Sequence, residues 1–180
     1  MNYWFLVCAT GAMVASSVQA DCQSLLAEQL KSDLSLSYQA FDQTPDAGWR
    51  VLQAQRCYSE AAVLIEAWMA QSKTQPNSVK WHLLQMHAYA DNRPQALKLV
   101  PQLLFTAEQQ QKSPFLWNDY VLATAAFLQR DLAALKLHRE QLAQGSKIKP
   151  NALNLAAVDR LIHGFHLSYQ QAYDAAEPSQ

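Results

Sequence analysis

Glycine is scarce in this chain, with 4 glycines among 180 residues, and charged residues make up only 16 % of it. A β-protein with many tight turns needs more glycine than this, because hairpin turns use backbone angles that glycine adopts most readily. No long run of alternating Val, Ile or Thr is present either. Ala, Leu and Gln, which favour helices, are abundant instead. We therefore predict an all-α protein.

A strong charge of either sign is also absent: the formal net charge is −1, and acidic and basic residues are interspersed. Nucleic-acid binders usually carry a basic stripe or cluster, which this sequence lacks. After residue 20 no segment has the roughly 20 consecutive apolar residues that a membrane span needs. We expect neither nucleic-acid binding nor membrane insertion of the mature chain.

Residues 1–20 read MNYWFLVCATGAMVASSVQA and contain no charged side chain. An apolar run covers Tyr3 to Val14, and small residues, Val18 and Ala20, precede a cut after Ala20 at positions −3 and −1. This pattern is typical of a signal peptide, with a buried N-terminal helix as the alternative. We expect cleavage after Ala20, a periplasmic or secreted mature protein, and a short flexible tail over residues 175–180.

Cysteine is rare, and removal of the leader with Cys8 would leave only Cys22 and Cys57. Two cysteines in an oxidising compartment usually pair. Their bond would close a loop of about 36 residues and contribute about 3–4 kcal/mol in the chain-entropy model. A catalytic thiol is the alternative, but no Cys-x-x-Cys motif or flanking histidine supports it. We predict a disulfide between Cys22 and Cys57.

A repeat is visible in the chain: AYADNRPQALKLVPQLL, over 88–104, is similar to AAFLQRDLAALKLHREQL, over 125–142. Two further segments, CYSEAAVLIEAWM and GFHLSYQQAYDAA, fit the same frame. The aligned alanines are Ala61, Ala96, Ala134 and Ala172, at spacings of 35, 38 and 38 residues. Periods of this size indicate stacked helical hairpins. We expect each alanine near the start of a second helix, where its small side chain lets two helices approach closely.

Two positions carry signals for the start of a helix. Ser113 precedes Pro114, and Asn151 follows Pro150 before the apolar pattern ALNLAAVDRLI. Serine and asparagine are favoured N-cap residues. We predict that Ser113 and Asn151 cap the helices that follow them.

The hairpin pattern resembles the tetratricopeptide repeat family, whose units have a short first helix, a tight turn and a second helix with alanine near its start. The resemblance covers Asp46 to Asp174 and implies a short right-handed superhelix (an α-solenoid) of three to four antiparallel hairpins in one domain, residues 21–174. It also implies a groove lined by the first helices. Carried over by position, the groove residues are Arg50, Gln53, Trp81, Gln85 and Asp119.

Catalytic and metal-binding motifs are not evident. His163 and His166 are three residues apart, as ligands on one helix can be, but no carboxylate or third histidine stands at a ligand spacing. No nucleophile elbow, His-Glu-x-x-His motif, phosphate-binding glycine loop or pair of carboxylates in apolar surroundings is present. The charges of Glu60, Glu66 and Glu140 are expected on helix surfaces. We predict no enzymatic activity, no cofactor and no metal.

The segment WNDYVLATAAF, which begins at Trp117, has two interpretations. It could line a recognition groove, since polar and aromatic residues follow one another. Alternatively, Trp117 and Tyr120 belong to the core, while Asn118 and Asp119 face solvent near a helix N-terminus, where an acid complements the helix dipole.

The sequence therefore favours an exported helical-repeat module that binds a protein or peptide partner as a scaffold or adaptor in the cell envelope. One alternative is an inhibitor or immunity-type protein directed at one exported enzyme. A second is a small-ligand carrier, or an all-α enzyme without a local motif, whose cavity would be lined by Phe105, Phe115, Phe127 and Trp68. A third is a structural protein that associates with itself through exposed repeat faces.

Overall fold

The computed structural model describes residues 13–176, with side chains from residue 21, and confirms the all-α prediction because no strand is present in that range. The helices are α1 Met13–Ser32, α2 Tyr38–Asp42, α3 Trp49–Ala54, α4 Tyr58–Gln71, α5 Asn77–Tyr89, α6 Arg93–Leu103, α7 Ala107–Gln111, α8 Trp117–Gln129, α9 Leu132–Gln144, α10 Lys149–His163 and α11 Tyr169–Tyr173. The chain divides into two compact units, one ending at Gln71 and the other beginning at Ser72.

Parts of the predicted leader and tail, residues 1–12 and 177–180, lie outside the described residues. The predicted cleavage point after Ala20 falls within α1, which continues as a helix to Ser32. None of the described helices is long and apolar enough to cross a membrane.

The first unit is held together by packing of α1 against α3 and α4, and of α2 against α3. Phe41 of α2 stacks on Trp68 of α4 with ring centroids 4.6 Å apart. The indole N–H of Trp68 also donates to the carbonyl of Leu36 at 2.9 Å. These contacts attach the segment between α1 and α3 to α4 through one large aromatic side chain.

The predicted disulfide is present: Cys22 of α1 is bonded to Cys57, which directly precedes α4. Beside it, the side-chain amide of Gln23 donates to the Glu60 carboxylate at 2.9 Å. Glu60 is only 5 % exposed, so its expected position on a helix surface is wrong. Glu60 is buried because it lies near the start of α4, where α1 packs against it. The Gln23 amide on α1 supplies the hydrogen bond that a buried carboxylate needs.

Two buried carboxylates shape the chain before α3. Asp33 accepts a hydrogen bond from the backbone N–H of Gly48 at 3.1 Å, and Asp42 accepts one from the indole N–H of Trp49 at 3.1 Å. Gly48 precedes α3 with φ +60° and ψ −147°, a region that glycine alone adopts readily. A Cβ at this position would lie 2.8 Å from the carbonyl carbon of Phe41. This turn therefore requires glycine.

The second unit is built around α8, which packs against α6, α9 and α10. This contact set explains why α8 carries buried residues on nearly every side, including Val121, Ala123 and Phe127. Helix α5 packs on α6, and α10 packs on α9. The last helix, α11, packs against α10 and also against α5, which lies much earlier in the chain.

Three hairpins, α3–α4, α5–α6 and α8–α9, share one turn. Among the described residues, the non-glycine positions with positive φ are Arg56, Asp91 and Arg130. Each lies two residues before the first residue of the second helix of a hairpin. In each turn the following N–H donates to a carbonyl five residues earlier, such as Cys57 to Leu52 at 2.9 Å. This is the Schellman motif, in which a left-handed residue ends a helix. The repeat of hairpins is thus also a repeat of turn geometry.

The repeat alignment is wrong by one residue in the copy that contains Ala134. The fourth residue of α4, α6, α9 and α11 occupies the same position in each copy, and these residues are Ala61, Ala96, Leu135 and Ala172. All four are fully buried. Ala134 is only half-buried. The reason is the N-cap Asp131, whose carboxylate accepts the Ala134 N–H at 2.9 Å and sets where α9 begins. A shift of one residue rotates a side chain by about 100° around a helix.

Both predicted N-caps are wrong. Helix α8 begins at Trp117, and the Ser113 hydroxyl instead accepts the N–H of Phe115 at 3.1 Å within the preceding loop. Helix α10 begins at Lys149, so Asn151 lies inside it and is completely buried. Its side chain accepts from the Leu116 N–H and donates to the carbonyls of Pro114 and Gly145. Asn151 therefore joins the start of α10 to the loop before α8 and the end of α9.

Replacing Arg56 by glycine is expected to raise the free energy of unfolding by about 1 kcal/mol, because a side chain in the left-handed region carries a steric cost that glycine avoids. Arg56 is exposed, with φ 59°. The measurement is urea denaturation followed by circular dichroism. Arg56→Ala controls for loss of the side chain, and Gln55→Gly, at φ −88°, controls for adding glycine to the same turn. An Arg56→Gly variant no more stable than Arg56→Ala would contradict the turn geometry.

Candidate binding face

The groove residues predicted on α5 are buried rather than open. Trp81 is 6 % exposed and packs against Trp117 and Tyr120, with ring centroids 5.2 and 4.8 Å away. Gln85 is 9 % exposed. The two side chains lie one helical turn apart on the same helix, as predicted, but other parts of the second unit cover them.

Asp119 is directed toward α9. Its carboxylate lies 2.9 Å from Nδ1 of His138, and both side chains are 20 % exposed. This pair joins α8 to α9, so it contributes to packing within a hairpin. The structure does not bring Asp119 together with Trp81 and Gln85.

Arg50 and Gln53 lie on α3 in the first unit, and both are half-buried. The Arg50 guanidinium lies 4.4 Å from the ring centroid of Trp49, and its Nε donates to the carbonyl of Asp42 at 3.0 Å. Arg50 is therefore held against its own unit by a cation–π contact and a hydrogen bond.

The segment that begins at Trp117 matches its core interpretation for the aromatic residues. Trp117 and Tyr120 are 9 % and 4 % exposed. Asn118 does not face solvent, because its side chain makes two hydrogen bonds to the backbone of Phe105: the N–H donates to Oδ1 at 2.7 Å, and Nδ2 donates to the carbonyl at 2.9 Å. Asn118 thus fixes the chain that leaves α6.

The four residues expected to line a ligand cavity do not share one cavity. Phe105 and Phe115 lie beside Trp117 at the rim of a small open pocket of about 210 Å³. Phe127 belongs to the core and meets Phe165 edge-to-face at 5.9 Å. Trp68 lies in the first unit, where it stacks on Phe41.

A larger open pocket of about 480 Å³ lies in the first unit beside the disulfide, and Leu25 and Val51 contribute to its lining. The sulfur atoms of Cys22 and Cys57 and the Glu60 carboxylate lie within 4.8 Å of one another nearby. Because the two sulfurs are bonded to each other, they cannot act as thiolate ligands for a metal.

Helix α11 packs against a surface formed by α5, α8 and α10. We call it the aromatic face and define it by Gln85 and Tyr89 of α5, Tyr120 and Phe127 of α8, and Arg160 of α10. Tyr169 of α11 meets Tyr89 edge-to-face at 5.4 Å and Phe127 at 6.0 Å. Helices α5, α8 and α10 thus each contribute side chains to one site.

The second tyrosine of α11 is held through polar atoms. The hydroxyls of Tyr173 and Tyr120 are 3.0 Å apart, and Arg160 Nε donates to the Tyr173 carbonyl at 2.9 Å. The Arg160 guanidinium also lies 5.6 Å from the Tyr173 ring centroid. Directly after α11, Asp174 accepts a hydrogen bond from the Tyr89 hydroxyl at 2.6 Å. The face therefore contacts an aromatic ring, a backbone carbonyl and a carboxylate that belong to α11 and the residue after it.

Burial raises the pKa of the Tyr120 and Tyr169 hydroxyls well above the usual value. Burial also raises the pKa of Tyr89, and the hydrogen bond to Asp174 raises it further. Each hydroxyl therefore stays neutral and able to donate in the folded protein. Since these pKa values are higher in the folded than in the unfolded state, the stability they contribute is complete below about pH 10 and falls as the pH rises above it.

Sequence reasoning missed the residues of α11 as part of a site. Tyr169 and Tyr173 were visible only as members of the fourth repeat copy, where α11 would have been an ordinary second helix. Their spacing of four residues, which places both rings on one side of a helix, was the available signal. What it could not indicate is that this side faces α5.

Comparison of the chain with protein-family models, with curated proteins and with solved structures found no match. The resemblance to tetratricopeptide repeats and the superhelical arrangement of the hairpins therefore stay predictions.

Proposed function

We propose that this chain is an exported helical-hairpin protein that binds a polypeptide partner as a scaffold or adaptor. The observation that carries the proposal is the aromatic face, where side chains of α5, α8 and α10 hold a helix of five residues. A face that holds one short helix has the rings and hydrogen-bonding groups that helix-in-groove recognition uses. The Cys22–Cys57 disulfide supports export, since such bonds persist in oxidising compartments.

The proposal is tested by affinity capture with the chain from Asp21 onward, immobilised through its C-terminus and exposed to an extract of the cell envelope or of the secreted proteins. We expect a polypeptide to be retained and to bind again, as a purified component, with a measurable Kd. Leu137→Asp controls for nonspecific retention by exposed apolar side chains, because Leu137 is 59 % exposed on α9 and is not part of the aromatic face. The control should retain the same polypeptide.

The alternatives predict different results from the same capture. Recovery of one folded enzyme in equal amount, with its activity abolished, would support the inhibitor. A small molecule released on denaturation, with no polypeptide, would support the carrier. Absence of any retained polypeptide under all conditions would contradict the proposed function.

A further inference from the structure

Helix α11 cannot owe its structure to its own sequence. It has five residues, whereas isolated helices shorter than about 12–15 residues are marginal in water. Its capping box, in which Ser168 and Gln171 exchange hydrogen bonds, orders its first turn only. The helix is therefore ordered by its contacts with the aromatic face, as a bound peptide would be.

The connection from α10 to α11 lacks the turn found in the other three hairpins. Gly164, which follows α10, has φ −90°, so no left-handed residue closes this helix end. The connection is held by its own backbone hydrogen bonds, such as that from the Leu167 N–H to the Gly164 carbonyl at 2.8 Å, and by the Arg130 guanidinium, which donates to the carbonyls of Phe165 and Leu167. Because the connection lies after the last residue of α10, His163, it can open without unwinding that helix.

One contact of α11 is imperfect. The Tyr169 hydroxyl is buried and makes no hydrogen bond of normal geometry, although the Gln85 side chain lies beside it. A buried hydroxyl without a good partner weakens the binding of the segment that carries it, because the hydroxyl loses its hydrogen bonds to water. A segment with phenylalanine in this position would keep the ring contacts with Tyr89 and Phe127 and avoid that cost.

The rest of α11 shows what else the aromatic face accepts. Ala172 is completely buried against Gly164, where a Cβ on the glycine would lie 2.7 Å from the Ala172 Cβ, so only a small side chain fits there. Tyr173 and Asp174 supply a hydroxyl and a carboxylate for Tyr120 and Tyr89. The favoured pattern is therefore an aromatic residue, a small residue three positions later, then tyrosine and an acid.

We propose that the aromatic face is the site where the partner binds, that it takes a short amphipathic helix of this pattern from the partner polypeptide, and that α11 is a competing segment of the same chain. This inference rests on the proposed function, because it identifies the partner's chemistry at that site. Competition is strong, since a tethered segment acts at an effective concentration on the order of millimolar. A partner helix succeeds by adding contacts or by lacking the buried hydroxyl.

The test uses the full mature chain and a labelled synthetic peptide of residues 165–176 that carries Tyr169→Phe, with binding followed by fluorescence anisotropy. Tyr173→Ala in the protein weakens its own α11 without changing the aromatic face. We expect this variant to bind the peptide at least roughly tenfold more tightly than the wild-type chain does. His166→Ala, an exposed position in the connection, is the matched control and should bind the peptide as the wild type does. The same peptide with Tyr169 unchanged should bind more weakly, by roughly five- to a hundredfold.

A folded Tyr173→Ala variant that binds the peptide no more tightly than the wild-type chain would overturn the inference. If that variant does not fold, amide hydrogen exchange of the wild-type chain decides. We expect the α11 amides to exchange at least roughly 100-fold faster than those of α8, because α11 detaches without global unfolding. Exchange of both helices at the same rate would show that α11 is permanent core, and the inference would fail.

The two proposals fail separately. If a polypeptide is captured and its Kd is the same for the wild type and for Tyr173→Ala, the protein binds a partner elsewhere, and only the aromatic face is excluded. If the peptide binds as expected and no natural polypeptide is found, the site is real as a helix-binding face and the proposed function fails.

Discussion

Gly48→Ala is expected to lower the free energy of unfolding of the first unit by at least about 3 kcal/mol. The backbone at Gly48 is in a region that side chains rarely adopt, and its added Cβ would lie 2.8 Å from the Phe41 carbonyl carbon. Carbon atoms in favourable contact are about 3.5–4.0 Å apart. Relief would require the Asp33 hydrogen bond to the Gly48 N–H to break, leaving a buried carboxylate without that donor. Thermal and urea unfolding of purified variants measure the effect.

Asp46→Ala is the matched control for this substitution, because Asp46 lies in the same loop and is exposed. Exposed substitutions without special contacts change stability by less than about 0.5 kcal/mol. A Gly48→Ala variant as stable as Asp46→Ala would show that the loop adopts another conformation, and the positions of Asp33 and Asp42 would need revision.

Removal of the disulfide is expected to cost a further large share of stability. The double variant Cys22→Ala, Cys57→Ala opens a loop whose ends are 35 residues apart, which corresponds to about 3–4 kcal/mol in the chain-entropy model. The loss should appear in the first unit, where the bond joins α1 to the start of α4. Urea denaturation with far-ultraviolet circular dichroism measures it, with amide exchange resolving the two units.

A reducing agent provides the internal control. The wild-type midpoint should fall toward that of the double variant when the bond is reduced, and the double variant should not respond. Gln23→Ala separates the covalent bond from its polar neighbour, since loss of the hydrogen bond to Glu60 should cost about 1 kcal/mol while the disulfide remains. Equal midpoints for wild type and double variant under oxidising conditions would contradict a stabilising role for the bond.

The successes and failures of sequence reasoning follow the range of the interactions involved. Ala61, Ala96 and Ala172 were found because small residues recur wherever two helices touch closely, and each is fully buried. Leu135 was missed because identical neighbouring residues in the two segments aligned Ala134 with Ala96. The start of α9 is set instead by the Asp131 cap. Local composition indicates that a helix exists more reliably than it indicates where the helix begins.

Candidate caps show the same limit. Asn151 has the residue type of an N-cap, but it lies inside α10, where it binds the Leu116 N–H and the carbonyls of Pro114 and Gly145. Those partners are 6 to 37 residues away in sequence. Asparagine can satisfy either a local helix end or distant backbone groups, and only the folded chain decides between them.

The amino-acid sequence by itself determined the helical class, the hairpin repeat and the disulfide, because helix propensity, apolar periodicity and cysteine count act locally or depend on the compartment. The tertiary structure alone decided that Trp81 and Gln85 are covered and that Asp119 faces His138. It also decided that α11 lies against α5, through contacts as distant as Tyr89 with Asp174, which are 85 residues apart. Which face of a helix is buried depends on what the rest of the chain places against it, and neither spacing nor residue type contains that information.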